Sequence, residues 1–369
     1  MKIAYVINSL EAGGAQFPIP AVFQVLKENG VEVKLFALSR RNGMAIPALE
    51  AAGINWQCFD GKKKQHFEAA LWFQKRLKEY RPDIIWTSLT QATIIGQILG
   101  KKFGIPVVSW QHNAFLKPIN QTLLSLTKSL SAFWITDSER VKALTVKRFG
   151  LDPENVLIWP LFSVNTLAPQ ASAWKSGEVF KIASLGRLHP NKGYDVLIDA
   201  LSLLKSANEL PTQAFQINIA GAGEQEAALK LKAKTAKITE LNFMGHVTNP
   251  HAFLAEHHAY IQPSRCEGLG IAAHEAMQAS LPVLCSRTGQ MELTVQDTIS
   301  GWHCEPGDPA CLARALKTML LAPEKTENMQ DAALSDVSRA FGMEAFERAG
   351  AAFVSRLRQL TLDELNRRV

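Results

Sequence analysis

At 369 residues the chain exceeds what one compact core usually covers, and 47% hydrophobic with 20% charged residues excludes a disordered polymer. No apolar run reaches 18 residues, so a transmembrane helix is not expected. The net charge of +6 is uneven: residues 1–170 carry 20 Lys+Arg against 12 Asp+Glu, and the remainder 20 against 22. A basic first half suits nucleic acid, anionic lipid, an anionic saccharide or plain solvation, and the absence of an interleaved aromatic and basic stripe speaks against nucleic acid. Five cysteines, Cys58, Cys266, Cys285, Cys304 and Cys311, show no C-x-x-C spacing; neither a disulfide framework nor zinc is suggested, and a cytoplasmic protein fits. With no D-x-D pair and no H-E-x-x-H, no metal site is expected.

The opening "MKIAYVIN" lacks the long apolar core and cleavage site of a secretory signal and reads as a first strand. After a glycine turn come the amphipathic "AVFQVLKENG" and the strand "VEVKLFAL". A helix around "FEAALWFQKRLKEY", the strand "DIIWTS", the helix "ATIIGQILGKKFG" and the strand "PVVSW" follow. Short, nearly continuous apolar strands alternating with helices predict a parallel sheet covered on both faces. Past Thr166, "LAPQASAWKSGE" has a linker's composition. A second series then starts: "VFKIASLG", "YDVLIDALSLLK", "FQINIAG", "AALKLKAK", "LNFMG", "AYIQPS" and "PVLCS". The expected fold is α/β, two doubly wound Rossmann-like domains facing across a cleft. The expected boundaries are 1–165, 166–345, and a C-terminal helix over 346–369 that packs back on the first domain.

In doubly wound sheets ligands bind beyond the carboxyl ends of the strands, so the loops there hold the informative residues. In "SLGRLHPNKGYDV", Gly186 permits close backbone approach, and Arg187 and Lys192 set two cations beside a helix start. A planar fork and a point charge in that position suit a diphosphate. In "SRCEGLGIAAHEAM", Glu267 and Glu275 stand eight positions apart around a Gly-Leu-Gly turn, where a strand hands over to a helix. Such a junction leaves backbone N–H groups unpaired at a positive helix end; an ordinary loop with two solvated acids is the competing reading. "EAGGAQ", with Gly13 and Gly14, and "GAGE", with Gly221, are weaker signals that a tight turn also explains. His112, in "SWQHN" at a strand end, is either structural or catalytic.

In combination these segments resemble the retaining, nucleotide-sugar-dependent glycosyltransferases of the GT-B fold, glycosyltransferase family 4. The resemblance spans nearly the whole chain and rests on "GRLHPNKG" and the E-x(7)-E element "EGLGIAAHE", supported by "EAGGAQ", "FMGHV" and "SGWHCEPGD". It implies that the first domain is acceptor-side and the second holds the donor. Glu275 would grip the ribose, Glu267 would face the transferred sugar, and the backbone of Gly268, Leu269, Gly270 and Ile271 would hold sugar hydroxyls and phosphate. Arg187 and Lys192 would stabilise the departing diphosphate without metal or cofactor. Gly13 and Gly14 would approach the donor phosphate, Gln16 the acceptor, and His112 the donor sugar. The base would rest near Gly221 and the segment Met244 to Val247.

The resemblance implies a hexosyl- or N-acetylhexosaminyltransferase using a UDP-sugar in preference to a GDP-sugar. The acceptor would be a glycan or lipid-linked saccharide of a bacterial surface polysaccharide or glycoconjugate. A GDP-mannose-dependent mannosyltransferase, a sugar-nucleotide epimerase of like fold, a phosphorylase-like enzyme and a non-catalytic binding module stay open beside it. Three departures from the family pattern stand out: Pro18 and Pro20 after the first glycine turn, "IWPLFSVN" in place of an Asn-Gly, and a single glycine in "SRTGQMELT". The basic clusters "GKKKQ", "KRLKEYR" and "GKKFG", beside Leu123, Leu124, Leu126, Leu130 and Phe133 as one apolar face, suggest a peripheral contact with the inner face of the cytoplasmic membrane. A core-facing helix is the alternative.

Overall fold

The computed structural model describes residues 1–368 apart from Ala12, Lys62, Lys63, Lys64 and Asn113, with side chains described as far as Asp363. The three lysines of "GKKKQ" therefore lie outside the described residues. The chain divides into two compact units, residues 1–162 with 344–369, and residues 163–343. The C-terminal helix belongs to the first unit.

The first unit is a seven-stranded parallel sheet: β1 (Lys2–Ile7), β2 (Glu32–Ala37), β3 (Trp56–Cys58), β4 (Ile84–Ser88), β5 (Val107–Gln111), β6 (Phe133–Thr136) and β7 (Val156–Ile158). Their order is β3-β2-β1-β4-β5-β6-β7. Helices α1 (Ile19–Glu28), α2 (Ile46–Ala51), α3 (His66–Tyr80), α4 (Thr90–Phe103), α5 (Pro118–Thr127) and α6 (Glu139–Phe149) connect the strands. Burial on both faces explains the apolar strands: all five residues of β4 are buried. Trp86, Trp110 and Trp159 stack in the core, with centroids 4.9 Å apart for Trp86–Trp110 and 5.7 Å for Trp110–Trp159. The last helix of the chain (Met343–Arg368) lays Phe353 on Trp86 at 4.7 Å. Pro18 and Pro20 do not interrupt α1. Pro18 stands at its cap and Pro20 in its first turn, where the missing N–H has no intrahelical partner to lose.

The second unit is a six-stranded parallel sheet: β8 (Phe180–Leu185), β9 (Phe215–Ala220), β10 (Leu241–Gly245), β11 (Ala259–Gln262), β12 (Val283–Ser286) and β13 (Gly301–Cys304), in the order β10-β9-β8-β11-β12-β13. Helices α7 (Tyr194–Ser206), α8 (Glu226–Thr235), α9 (Pro250–Ala255), α10 (Ile271–Gln278), α11 (Met291–Thr294), α12 (Pro309–Leu321) and α13 (Lys325–Phe341) complete it; the C-terminal helix of the first unit is α14. The linker has no regular structure, but it is pinned to this unit. Asn165 N donates to Gln278 Oε1 at 2.7 Å, Ala171 N to Ala279 O at 2.9 Å, and Ser280 Oγ to Gln170 Oε1 at 2.6 Å.

The expected apolar face over Leu123 to Phe133 is not one face. Helix α5 ends at Thr127, Leu124 is 1% exposed in a core cluster, and Phe133 is a buried residue of β6. Leu123 and Leu126 lie on the opposite, exposed side of the helix.

Candidate active site

In each sheet the strand order reverses once, between β1 and β4 in the first unit and between β8 and β11 in the second. The loops that leave these strands at their carboxyl ends diverge there and leave room for a ligand. In the second unit the two loops are Gly186–Gly193 after β8 and Pro263–Gly270 after β11.

Their close approach depends on Gly193. Its φ is +68°, and a Cβ there would lie 1.9 Å from the carbonyl oxygen of Pro263, so no other residue fits. The contact brings Lys192 onto Glu267. Lys192 Nζ donates to Glu267 Oε1 at 2.6 Å, and Gln262 Nε2 and Ser264 Oγ reach the same oxygen at 2.8 Å each. Gln262 is oriented in turn by Tyr260, whose hydroxyl donates to Gln262 Oε1 at 2.6 Å and leaves the amide nitrogen to face Glu267. Burial alone would raise the Glu267 carboxyl, but the Lys192 charge and these donors hold it below its ordinary value.

Arg265 ties the same two loops from outside. Its guanidinium forms a fork on Asp195 at 2.7 and 2.6 Å and donates to Pro190 O at 2.9 Å, while its backbone N donates to Asn191 O at 2.8 Å. On the other side, Gln290 N donates to Gly268 O at 2.8 Å and Glu267 N to Thr288 Oγ1 at 3.3 Å, so the "SRTGQ" segment braces the Gly-Leu-Gly turn.

The turn leads into α10 with Gly270 at its cap. The backbone N–H groups of Leu269, Gly270 and Ile271 donate to no acceptor among the described residues. Three free amides at a helix start form an anion-receptive surface. Arg187 is exposed and makes no ion pair among the described residues. Glu275, one turn into α10, is partly buried, and burial pushes its carboxyl up to about 7. No described side chain donates to it.

The loops after β9 and β10 complete this half. Gly221 N donates to Gly245 O at 2.7 Å, which sets Gly221 beside the segment Met244 to Val247. Gly221 has φ +143°, and a Cβ on it would meet Gly186 O at 2.0 Å. Met244 is half-exposed and Val247 partly buried, so both are accessible at the strand ends. The second unit thus carries twelve of the predicted donor residues in a strand end, loops and a helix start at one end of its sheet: Gly186, Arg187, Lys192, Gly221, Met244, Val247, Glu267, Gly268, Leu269, Gly270, Ile271 and Glu275.

In the first unit, Gly13, Gly14 and Gln16 lie past β1 and His112 past β5, at the same end of that sheet. Gln16 is buried, and its Nε2 donates to Ser9 O at 3.1 Å, so it props its own loop. His112 is held on both sides: Nδ1 lies 2.8 Å from Asp137 Oδ1, and Nε2 lies 2.6 Å from Ser88 Oγ. The carboxylate accepts at Nδ1, and Nε2 is the ring nitrogen turned to the serine hydroxyl. Burial raises the Asp137 carboxyl against the opposing pull of His112. To bond a substrate, His112 Nε2 has to exchange its bond to Ser88.

Sequence reasoning left out Gln262, Ser264, Arg265, Asp195, Thr288, Ser88 and Asp137. Asp137 obeys the strand-end rule, but β6 is only four residues long and is hidden in the apolar text before it.

Two Rossmann-like parallel sheets with these loops define a GT-B glycosyltransferase. The chain belongs to glycosyltransferase family 4: its first unit matches the model "Glycosyltransferase Family 4" over residues 13–162, and its second the model "Glycosyl transferases group 1" over residues 170–336. It is 26% identical to an uncharacterized glycosyltransferase of Haemophilus influenzae, over 73% of this chain and 75% of the relative. Among solved structures it resembles Anabaena HepE in complex with UDP and glucose, with a TM-score of 0.80, 20% identity, and coverage of 96% of this chain and 100% of that one. It also resembles the lipopolysaccharide outer core galactosyltransferase WaaB in its apo form, with a TM-score of 0.77, 18% identity, and coverage of 96% and 100%. The protein is a glycosyltransferase.

Proposed function

We propose that the protein transfers a hexosyl or N-acetylhexosaminyl group, with retention of configuration, from a nucleotide diphosphate sugar to a saccharide acceptor. The observation that carries this reading is the pairing of Lys192 with Glu267, two residues before the three free amides of Leu269 to Ile271 begin to open α10, at the switch point of the second sheet. A lysine ammonium has three N–H donors, and Glu267 takes one of them. The other two, the free amides and Arg187 stabilise the negative charge that develops on the diphosphate as the glycosidic bond breaks. That set of cations supports a metal-independent reaction, and undiminished turnover in a chelator is the expected result.

All three donors to Glu267 converge on Oε1, which leaves Oε2 for a hydroxyl of the bound sugar. A carboxylate so stabilised is a poor nucleophile and a good hydrogen-bond acceptor, which favours orientation of the sugar over a glycosyl-enzyme intermediate. Glu275 is suited to the ribose diol, because a partly buried carboxyl with no protein donor gains most from two hydroxyl donors. The first unit supplies acceptor recognition and His112.

UDP is the favoured nucleotide, supported by the likeness to HepE solved with UDP and glucose. A lipid-linked saccharide of a bacterial surface glycan is the favoured acceptor, supported by the likeness to a lipopolysaccharide core galactosyltransferase. A thermal-shift screen over UDP, GDP and their sugars tests the donor site. Stabilisation by UDP, lost in Glu275→Gln, is expected; stabilisation by GDP alone turns the assignment to a GDP-mannose-dependent mannosyltransferase. Conversion of the sugar nucleotide without acceptor turns it to an epimerase.

A further inference from the structure

Helices α7 and α8 cover one face of the second sheet, where Ile217, Ile219 and Leu241 join the core. On the other face α9 returns the chain from β10 to β11 and packs against β8. It has only six residues, too few to roof β9 and β10 as well. The side chains turned to that face are polar accordingly. Lys181 and Gln216 stand opposite one another on β8 and β9, and two residues further on Asn218 stands opposite Asn242 of β10. They line a groove of about 590 Å³, within the range of small-molecule sites.

The floor of the groove is a relay whose polarity is set by one backbone carbonyl. His257 Nδ1 lies 2.7 Å from Phe253 O, which can only accept, so Nδ1 carries the proton. Burial holds the ring down to about 4 against the pull of that bond, so it is neutral and Nε2 is an acceptor. Asn218 Nδ2 donates to Nε2 at 3.0 Å, and Asn242 Nδ2 donates to Asn218 Oδ1 at 2.9 Å. Asn242 Oδ1 is then left without a partner among the described residues, and so is the exposed amide of Gln216. The Phe253 ring, 4.5 Å from the His257 ring, walls the relay. Of the charges around the groove, Lys230 is neutralised by Glu226 at 2.7 Å, while Lys181 and Glu256, neither ion-paired among the described residues, cancel in sign.

We infer that this groove is a second saccharide site, separate from the donor loops, that takes a neutral chain of hexose or N-acetylhexosamine units. The charge balance favours a neutral ligand over a nucleotide or a nucleic acid. A row of planar amides suits vicinal hydroxyls, which donate and accept at once, and the apolar face of a pyranose packs on an aromatic ring such as Phe253. Lys181 precedes Gly186 by five residues, roughly 16 Å of extended strand, so the groove runs toward the other end of the sheet from the donor loops. Met244 is the residue common to both. The inference rests on the saccharide-acceptor reading for its purpose, which is to tether the enzyme to the glycan it extends and so raise the local concentration of acceptor ends.

Saturation-transfer difference NMR with cellotetraose, maltotetraose, chitotetraose and mannotetraose tests it, with UDP saturating so that the donor site is filled. Binding of at least one of these tetrasaccharides is expected. Gln216→Ala, at an exposed position, is expected to weaken it about five-fold, and Gln216→Ala with Asn242→Ala about 10–100-fold, with UDP-induced thermal stabilisation unchanged in both variants. Binding of none of the four, binding that UDP abolishes, or binding that neither variant weakens overturns the inference. A concentration-dependent dimer that the double variant converts to monomer overturns it too, because a second copy then covers the groove. Tetrasaccharide binding is read without turnover, so a protein that releases UDP to an acceptor but binds no tetrasaccharide loses the groove and keeps the transferase reading.

Discussion

Lys192 Nζ and Glu267 Oε1 lie 2.6 Å apart, inside a cluster where Gln262 and Ser264 also donate to the carboxylate. The lysine therefore has two tasks, neutralising a largely buried carboxylate and facing the diphosphate. Lys192→Ala is expected to lower kcat by about 10²–10³. It is also expected to destabilise the ligand-free protein by about 1–3 kcal/mol, because Glu267 keeps its charge but loses its cation. Adding Glu267→Gln removes the stranded charge and should restore most of the melting temperature but none of the turnover. A double variant that melts no higher than Lys192→Ala contradicts this account of the pair.

Glu275 gives a pH signature. Its carboxyl, at about 7, stands above the ordinary 4.5, so between those values the folded chain keeps a proton that the unfolded chain releases. Stability of the ligand-free protein therefore falls as pH rises through that window and levels off above it. Glu275→Gln is expected to melt higher than wild type at pH 8.5 and nearly equal to it at pH 4.5. UDP binding should show the reverse trend, tightening from pH 6 to 8 in wild type as the carboxylate forms. In Glu275→Gln the affinity should be flat and about 10–100-fold weaker at pH 8. Parallel calorimetric titrations of both proteins check the sign.

Arg265 is 38% exposed at its side chain, as surface arginines usually are, yet it bridges the loops that carry Lys192 and Glu267. Arg265→Ala should raise KM for the donor and lower kcat by about tenfold each, since small misplacements of catalytic groups are costly. Arg265→Lys keeps the charge but loses the fork, and it should recover little. Full activity in the lysine variant would show that charge alone suffices.

These assignments mark what the sequence made legible. The Rossmann-like halves, the G-R-x(4)-K-G loop and the Gly-Leu-Gly turn were readable because glycines and strand ends follow local rules. Lys192 with Glu267, 75 positions apart, was not, because only the φ of Gly193 and its contact with Pro263 fold one loop onto the other. Strands β3, β6, β7 and β13 have only three or four residues and were not read, although β11 and β12, equally short at four residues, were. The leucines of α5 looked like one face because no residue marks the end of that helix; Lys128 continues into a 3-10 turn.

Asp137 is expected to act through His112. Asp137→Asn can donate to Nδ1 as well as accept from it, which frees the ring to take the other tautomer. Loss of a charged hydrogen bond of this kind corresponds to about 10–100-fold. The expected result is a fall of that size in kcat and a changed pH–rate profile, with the affinity for UDP unaltered because the donor half is intact. Equal losses in kcat and in UDP affinity would mark Asp137 as a packing residue.

The central claim is transfer of a sugar from a nucleotide diphosphate to a saccharide acceptor through the site around Lys192 and Glu267. The most direct measurement incubates the protein with a UDP-α-sugar and a lipid-linked saccharide extract, and follows UDP release and the anomeric proton of the product by NMR. The account predicts UDP release that depends on the acceptor, an α-linked product, and loss of both in Lys192→Ala. Release that is independent of acceptor, a β-linked product, or full turnover in Lys192→Ala would contradict it.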